Sequence, residues 1–116
     1  MSDIDELIKL VIKFRDDRDW KQFHNPKDMA ISLSLEASEL LEHFQWKKSD
    51  EMVTYLKTHK NEVSNELADV FIWVLTISHD LNIDLIKSVK EKVKLNAKKY
   101  PVKKSKGKHS KYTDFK

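Results

Sequence analysis

The scarcity of turn-forming residues most restricts the fold of this 116-residue chain, which contains one glycine, Gly107, and two prolines, Pro26 and Pro101. Sheet proteins need many tight turns, so this composition predicts long helices with few interruptions. The lone glycine also excludes the glycine-rich phosphate loops of P-loop and Rossmann proteins. Because cysteine is absent, disulfides, thiolate catalysis and cysteine-ligated zinc are excluded as well.

Apolar residues recur at helical spacing in four long segments, each preceded by residues typical of a helix start. Ser2 with Asp5 is close to a capping box, and Asn25 followed by Pro26 is typical of an N-cap and a first helical position. Ser49 is predicted to cap a short extra helix. The long helices are expected at about residues 3–18, 26–46, 61–80 and 84–100, and the short one near 50–57. Short connections imply antiparallel neighbours, so we predict an all-α fold, an antiparallel four-helix bundle with a short extra helix.

The length fits one domain, which we place at residues 1–101, followed by a basic tail at residues 102–116. From Pro101 onwards there are six lysines against one aspartate, whereas the preceding residues have a small negative net charge. Arginine occurs only at Arg15 and Arg18. Because bidentate base contacts favour arginine, no specific nucleic-acid partner is expected.

The second and third long helices are apolar over more than one stripe, which is typical of helices that pack against another subunit. We therefore expect a homo-oligomer. The longest apolar run, around residues 70–77, is too short to span a bilayer, so no membrane partner is expected. The start of the sequence is acidic and shows no signal-peptide pattern, and the expected location is cytoplasmic.

Two pairs of acidic residues carry the strongest chemical signal. Glu36 and Glu39 lie three positions apart in the second long helix, and Glu66 and Asp69 have the same spacing in the third. Residues three apart lie on one face of a helix, about one turn from each other. Each pair lies at the edge of an apolar arc, so the four carboxylates converge if the two helices are antiparallel neighbours.

Four converging carboxylates repel one another, and a divalent cation would offset this repulsion. Oxygen ligands favour Mg²⁺, Mn²⁺ or Ca²⁺ over zinc. The alternative is that these acids form solvated helix faces or pair with lysines one turn away. Lysine is absent from residues 31–45 and 61–80, which favours the metal interpretation. A di-iron site would need Glu-x-x-His, but His43 follows Glu39 by four positions, which argues against that architecture.

Several residues near the acids could contact a ligand. Trp73 lies on the face of Glu66 and Asp69, where stacking on a planar ring competes with the commoner role of a core aromatic. Asn96 interrupts the apolar stripe of the fourth helix, so its amide needs either a backbone partner or a ligand. Lysines that could bind phosphate, although a solvated lysine is the commoner case, are Lys47, Lys98 and Lys99.

Four stretches of the chain together resemble a known family. They read FRDDRDWKQFHNPKDMAISLSLEASELLEHFQWK, NELADVFIWVL, NAKKYP and SKYTDF, in this order. The chain resembles the all-α nucleoside triphosphate pyrophosphohydrolases of the MazG-like superfamily, and within it the dCTP pyrophosphatase group. The resemblance implies a Mg²⁺-dependent enzyme, with Mn²⁺ as an alternative ion. It would hydrolyse a (d)NTP, dCTP-like or a non-standard pyrimidine dNTP, to the monophosphate and pyrophosphate.

The resemblance also implies residue roles and an assembly. Glu36, Glu39, Glu66 and Asp69 would hold the metal, and Trp20 and Trp46 would line the base pocket. Asn96 and Tyr100 would contact the nucleotide, with Lys47, Lys98 and Lys99 near the phosphates. The enzymes resembled are dimers or tetramers with sites between subunits. This chain departs from their pattern at Val11, Trp73 and the lysines before Tyr100, and in the segment between Lys47 and Asn61.

Two questions stay open from the sequence. Either Glu36 or Glu39 could orient or deprotonate the attacking water. The alternative function is a non-enzymatic helical oligomer whose lysine-rich tail binds nucleic acid or an acidic partner, which would show salt-sensitive binding and no turnover.

Overall fold

The computed structural model describes residues 1–114 of the chain. The last two residues of the predicted basic tail lie outside the described residues. Every regular element among the described residues is helical, so the all-α prediction is confirmed. The α-helices are α1 (Asp3–Asp17), α2 (Pro26–Glu42), α3 (Ser49–Asp80), α4 (Leu85–Lys99) and α5 (Val102–Ser105), with 3₁₀ turns at Lys21–Phe23 and Tyr112–Asp114.

The helix starts follow from side chains that accept bonds from otherwise unpaired backbone N–H groups. Ser2 and Asp5 form the predicted capping box at the start of α1. The Asn25 side chain accepts a 2.9 Å bond from the Asp28 N–H, with Pro26 at the first position of α2. The side chain of Asp84 caps α4 in the same way. The predicted starts of these helices are therefore confirmed.

The predicted helix bounds are confirmed in part. The short helix expected near residues 50–57 is present as the first part of α3, and the non-helical residue His59 (φ −120°, ψ 16°) separates it from the helix expected at 61–80. Its N-cap is Lys48 rather than Ser49. The second helix ends at Glu42, because the N–H of Phe44 bonds to the Leu41 carbonyl in a tighter turn. The basic tail contains α5 and a 3₁₀ turn.

The chain divides into two compact units, Met1–Asn82 and a second unit from Ile83 onwards. In the first unit α3 packs against both α1 and α2. The side chains of Met29 and Leu75 are fully buried there. The four-helix bundle, the domain boundary after residue 101 and the homo-oligomer stay predictions. Among the described residues, no helix is both long and apolar enough to cross a membrane.

A buried ion pair joins α1 to the end of α3. Arg15 Nη1 donates a 2.7 Å bond to Asp80 Oδ2, and both side chains are largely withdrawn from solvent. The His24 ring lies beside this pair, with Nδ1 3.5 Å from Arg15 Nη1. Burial, followed by the Arg15 charge, holds the pKa of His24 below its usual value. These contacts fix the segment between α1 and α2 against α3.

Candidate active site

Three carboxylates converge where α2 and α3 pack together. The connection at residues 43–48 brings α3 back against α2, which places Glu66 opposite Glu36 and Glu39. One carboxylate oxygen from each of these residues lies within 4.8 Å of the other two. The structure therefore brings together three of the four predicted acids. We call Glu36, Glu39 and Glu66 the acidic cluster.

The acidic cluster is partly withdrawn from water. Glu36 and Glu66 are half-buried, whereas Glu39 is exposed. The Oε2 atoms of Glu36 and Glu66 are both buried and without a hydrogen-bond partner. A buried unpaired polar atom is costly, and a carboxylate buried among other carboxylates is more so. The arrangement lacks a positive partner.

The protonation of Glu66 reflects this crowding. The neighbouring Glu36 carboxylate, then burial, then the Glu39 carboxylate raise the pKa of Glu66 to about 8. Because the three groups interact, the proton belongs to the cluster as a whole. Without a cation, the cluster reduces its repulsion at neutral pH by retaining a proton.

The donor set fits a hard divalent cation. Carboxylate oxygens are the ligands that Mg²⁺ and Mn²⁺ prefer, and a cation would neutralise the two unpaired oxygens. None of the ion pairs among residues 1–114 involves a member of the acidic cluster. These carboxylates therefore lack the protein counter-charge that an ordinary structural acid would have.

Asp69 lies outside the acidic cluster. It is exposed, one turn beyond Glu66 on α3, and its oxygens are not among those within 4.8 Å of one another. Its predicted role as a fourth metal ligand stays a prediction.

The three tryptophans occupy different surroundings. The Trp20 side chain is 45% exposed and meets the Phe14 ring edge-on at 5.8 Å, whereas Trp46 is 86% exposed in the turn after α2. Trp73 is half-buried, with its ring centroid 5.2 Å from that of His24. Trp46 is exposed enough to meet a planar ligand, whereas the Trp20 ring also has the Arg18 guanidinium carbon 5.9 Å from its centre. Trp73 has the neighbours of a packing residue, and its ligand role stays a prediction.

Lys47 has partners that the sequence did not indicate. Its Nζ donates a 2.6 Å bond to the His43 carbonyl and lies 4.1 Å from the centre of the Tyr55 ring. His43 Nδ1 and the Tyr55 hydroxyl are 2.6 Å apart. The role of Tyr55 was not predictable from the sequence, because no periodicity relates residues of the turn to residues of α3. Tyrosine is also common in helices, so the residue type at position 55 did not indicate a functional site.

The remaining predicted substrate residues belong to the second unit. Asn96 and Lys99 are exposed near the end of α4, and Tyr100 is half-buried just after it. The Tyr100 ring meets Tyr112 edge-on at 5.8 Å, and Lys99 Nζ lies 5.0 Å from the Tyr112 ring centre. These residues form one group at the end of α4. Their roles stay predictions.

Comparison with known proteins decides the family. A family model described as the MazG-like family matches residues 31–115, which is more than half of the chain. The chain belongs to the MazG-like family. The match includes every member of the acidic cluster, together with Asp69. The resemblance recognised in the sequence is therefore confirmed.

Individual relatives agree with this family. The chain is 34% identical to dCTP pyrophosphatase 1 of Rattus norvegicus over 97% of its own length and 67% of that protein. It is 30% identical to dCTP pyrophosphatase 1 of Homo sapiens over 97% of its length and 67% of that protein. A crystal structure of a pyrophosphatase from Archaeoglobus fulgidus superposes with a TM-score of 0.82 at 42% identity, covering 87% of this chain and 94% of that one.

These relatives confirm the prediction of an enzyme of the pyrophosphohydrolase class. They favour it over the alternative of a non-enzymatic binding module. Membership of the MazG-like family and the acidic cluster between α2 and α3 together support a pyrophosphohydrolase function.

Proposed function

We propose that this MazG-like protein is a Mg²⁺-dependent nucleoside triphosphate pyrophosphohydrolase. It converts a (d)NTP, either dCTP or a non-standard pyrimidine dNTP, to the monophosphate and pyrophosphate, and so serves in house-cleaning of the nucleotide pool. The observation that carries the proposal is the acidic cluster, with its two buried and unpaired carboxylate oxygens. The dCTP pyrophosphatase names of the relatives support the choice of substrate. We also propose that the protein is located in the cytoplasm.

The acidic cluster would hold the metal, and Asp69 would complete the ligand set from the next turn of α3. A bound Mg²⁺, or Mn²⁺ in its place, neutralises triphosphate charge and polarises the phosphorus under attack. The half-buried Glu36 and Glu66 are held in place by the packing of α2 on α3, which keeps the ligand oxygens positioned before the substrate arrives.

The same carboxylates can handle the attacking water. Glu36 and Glu39 are both within the cluster, and either could accept a proton from water. Glu39 is exposed whereas an oxygen of Glu36 is buried, so solvent reaches Glu39 more readily. We assign the water-orienting role to Glu39 on that ground.

Aromatic and basic residues would hold the nucleotide. A pyrimidine base would stack on the exposed indoles of Trp20 and Trp46. Trp73, which follows Glu66 and Asp69 on α3, would contribute a third aromatic ring to the substrate site. Lys47 and Lys99 would bind phosphate oxygens. Asn96 and Tyr100 would contact the nucleoside.

We propose that the enzyme is a homo-oligomer, a dimer or a tetramer. Large apolar side chains remain exposed on all three helices of the first unit, including Leu10 at 66%, Leu35 at 60% and Leu67 at 57%. Large apolar side chains left exposed in this number favour a protein interface. Another copy of the chain would cover it, and size-exclusion chromatography with light scattering measures the assembly.

The test is a panel of normal and modified (d)NTPs with Mg²⁺, in which both products are identified by anion-exchange chromatography. We expect a monophosphate and pyrophosphate in equal amounts, and no turnover in EDTA. Glu36→Gln and Asp69→Asn should each lower turnover at least about 100-fold while the protein stays folded. Glu42→Gln, an exposed neighbour on α2, is the matched control. Release of orthophosphate, or wild-type turnover in folded variants, would contradict the proposal.

A further inference from the structure

The turn after α2 is held by a group of side chains of which the proposed mechanism uses only Lys47. His43 and Lys47 come from the turn itself, and Tyr55 and His59 come from the first part of α3. His43 follows Glu39 by one helical turn, so this group continues the α2 face that carries the acidic cluster. The group therefore begins one helical turn after the acidic cluster along α2.

Tyr55 is the centre of this group. Its hydroxyl lies 2.6 Å from His43 Nδ1, which ties α3 to the turn. Its ring stacks on the His59 ring with centroids 4.0 Å apart and 2° between the planes. His59 is the residue at which α3 breaks, and its Nδ1 is 2.8 Å from Thr58 Oγ1. Tyr55 is thus restrained at both its hydroxyl and its ring.

Tyr55 in turn restrains the ammonium group of Lys47. The Lys47 Nζ lies 4.1 Å from the centre of the Tyr55 ring and donates a 2.6 Å bond to the His43 carbonyl. An ammonium has three N–H donors, so the carbonyl bond leaves donors for another acceptor. A lysine side chain normally loses much rotamer freedom when it binds a ligand. Here much of that loss occurs on folding, which favours binding of an anion.

We propose that Tyr55 is a positioning residue that holds the Lys47 ammonium ready for a phosphate group of the substrate. His43 contributes through its carbonyl and through its ring contact with the Tyr55 hydroxyl. The inference rests on the proposed function for the identity of the anion, a nucleoside triphosphate. Tyr55 itself touches no reacting atom, so its effect must pass through Lys47.

Steady-state kinetics test this dependence. Tyr55→Leu removes the ring and is expected to raise KM roughly 3- to 10-fold while kcat changes less than about 2-fold. Tyr55→Phe keeps the ring over Lys47 and should restore most of the wild-type KM. Lys47→Met should raise KM at least as much as Tyr55→Leu. Lys48→Met, the same charge change at the adjacent exposed residue, is the control and should leave KM unchanged.

A double-mutant cycle separates positioning from general damage. If Tyr55 acts through Lys47, the variant carrying both Lys47→Met and Tyr55→Leu has the KM of Lys47→Met alone. Additive effects of the two substitutions on KM, or a Tyr55→Leu variant that behaves like Lys48→Met, would overturn the inference. Thermal unfolding identifies any variant that fails to fold. If Tyr55→Leu does not fold, the KM of Tyr55→Phe is compared with that of the wild type instead.

A measurement without substrate keeps the two proposals distinguishable. In protein labelled with ¹⁵N-lysine, NMR relaxation of the ammonium groups should show Lys47 more ordered than Lys48, and Tyr55→Leu should remove the difference. Equal mobility of the two ammonium groups in the wild-type protein refutes the positioning role, whatever the nucleotide assays show. An ordered Lys47 in a protein that hydrolyses no (d)NTP supports the restraint and refutes the proposed function.

Discussion

Adding Mg²⁺ to the metal-free protein is expected to release a proton from the acidic cluster. The pKa of Glu66 is raised to about 8 by the carboxylates of Glu36 and Glu39 and by burial. A group with that pKa holds about 0.9 of a proton at pH 7 and about 0.1 at pH 9. Metal ligands must be deprotonated, so binding displaces whatever proton the cluster holds.

Isothermal titration calorimetry measures this release directly. The apparent binding enthalpy is recorded in buffers of different ionisation enthalpy, and the slope against buffer enthalpy is the number of protons released. We expect a slope near 0.9 at pH 7, falling to near 0.1 at pH 9. Mn²⁺ should release the same number, because the proton belongs to the protein rather than to the ion.

Two variants make the result specific. Glu66→Gln removes one of the three crowded carboxylates, so any residual metal binding should release clearly fewer protons at pH 7 than in the wild type. Glu42→Gln, an exposed neighbour on α2, should behave like the wild type. Saturable binding with a slope near zero at pH 7 in the wild-type protein would refute the account of the cluster. The absence of any metal binding would refute the site itself.

The same pKa determines how stability depends on pH. In the unfolded chain Glu66 ionises near 4.5, whereas in the folded metal-free protein its pKa is about 8. Between these values the folded state binds more protons than the unfolded state, so the free energy of unfolding falls as pH rises through this window. Melting temperatures in EDTA should show this fall, and Glu66→Gln should flatten it. Saturating Mg²⁺ should raise the melting temperature more at pH 8 and above than at pH 6, because the carboxylates bind the ion in their deprotonated form.

Two predictions concern the contacts at the end of α3. Asp80→Asn leaves the buried Arg15 guanidinium without its charged partner and should lower the free energy of unfolding by about 3 kcal/mol, measured by urea denaturation; a loss below about 1 kcal/mol would contradict the buried pair. The pKa of His24 is held below 6.5 by burial and by Arg15, so the unfolded chain binds the proton first and stability should fall as pH drops below about 6.5. His24→Gln should remove that component, and an unchanged pH profile of its unfolding free energy would show that His24 is not its source.

Local features of the fold were predictable from the sequence. The capping interactions at Ser2 and Asn25 join residues three positions apart, so they depend only on the local chain and appeared where expected. The end of α2 was not predictable, because no residue after Glu42 forbids further helix. The break at His59, in contrast, falls between the two helices expected at residues 50–57 and 61–80, so its position was predictable.

The acidic pairs were predictable within each helix, but their meeting was decided by packing. Helical spacing places Glu36 and Glu39 on one face of α2 and Glu66 and Asp69 on one face of α3. The apolar arc beside each pair indicated that the two pairs would converge if these helices were antiparallel neighbours. Only the rotation of α3 against α2 puts the Glu66 carboxylate within 4.8 Å of both and buries an oxygen of Glu36 and of Glu66. The period of a helix determines where a side chain points relative to its own axis, whereas the contacts between two axes depend on the whole core. For that reason the Tyr55 contact with Lys47 and the Arg15 pair with Asp80 emerged only from the tertiary structure.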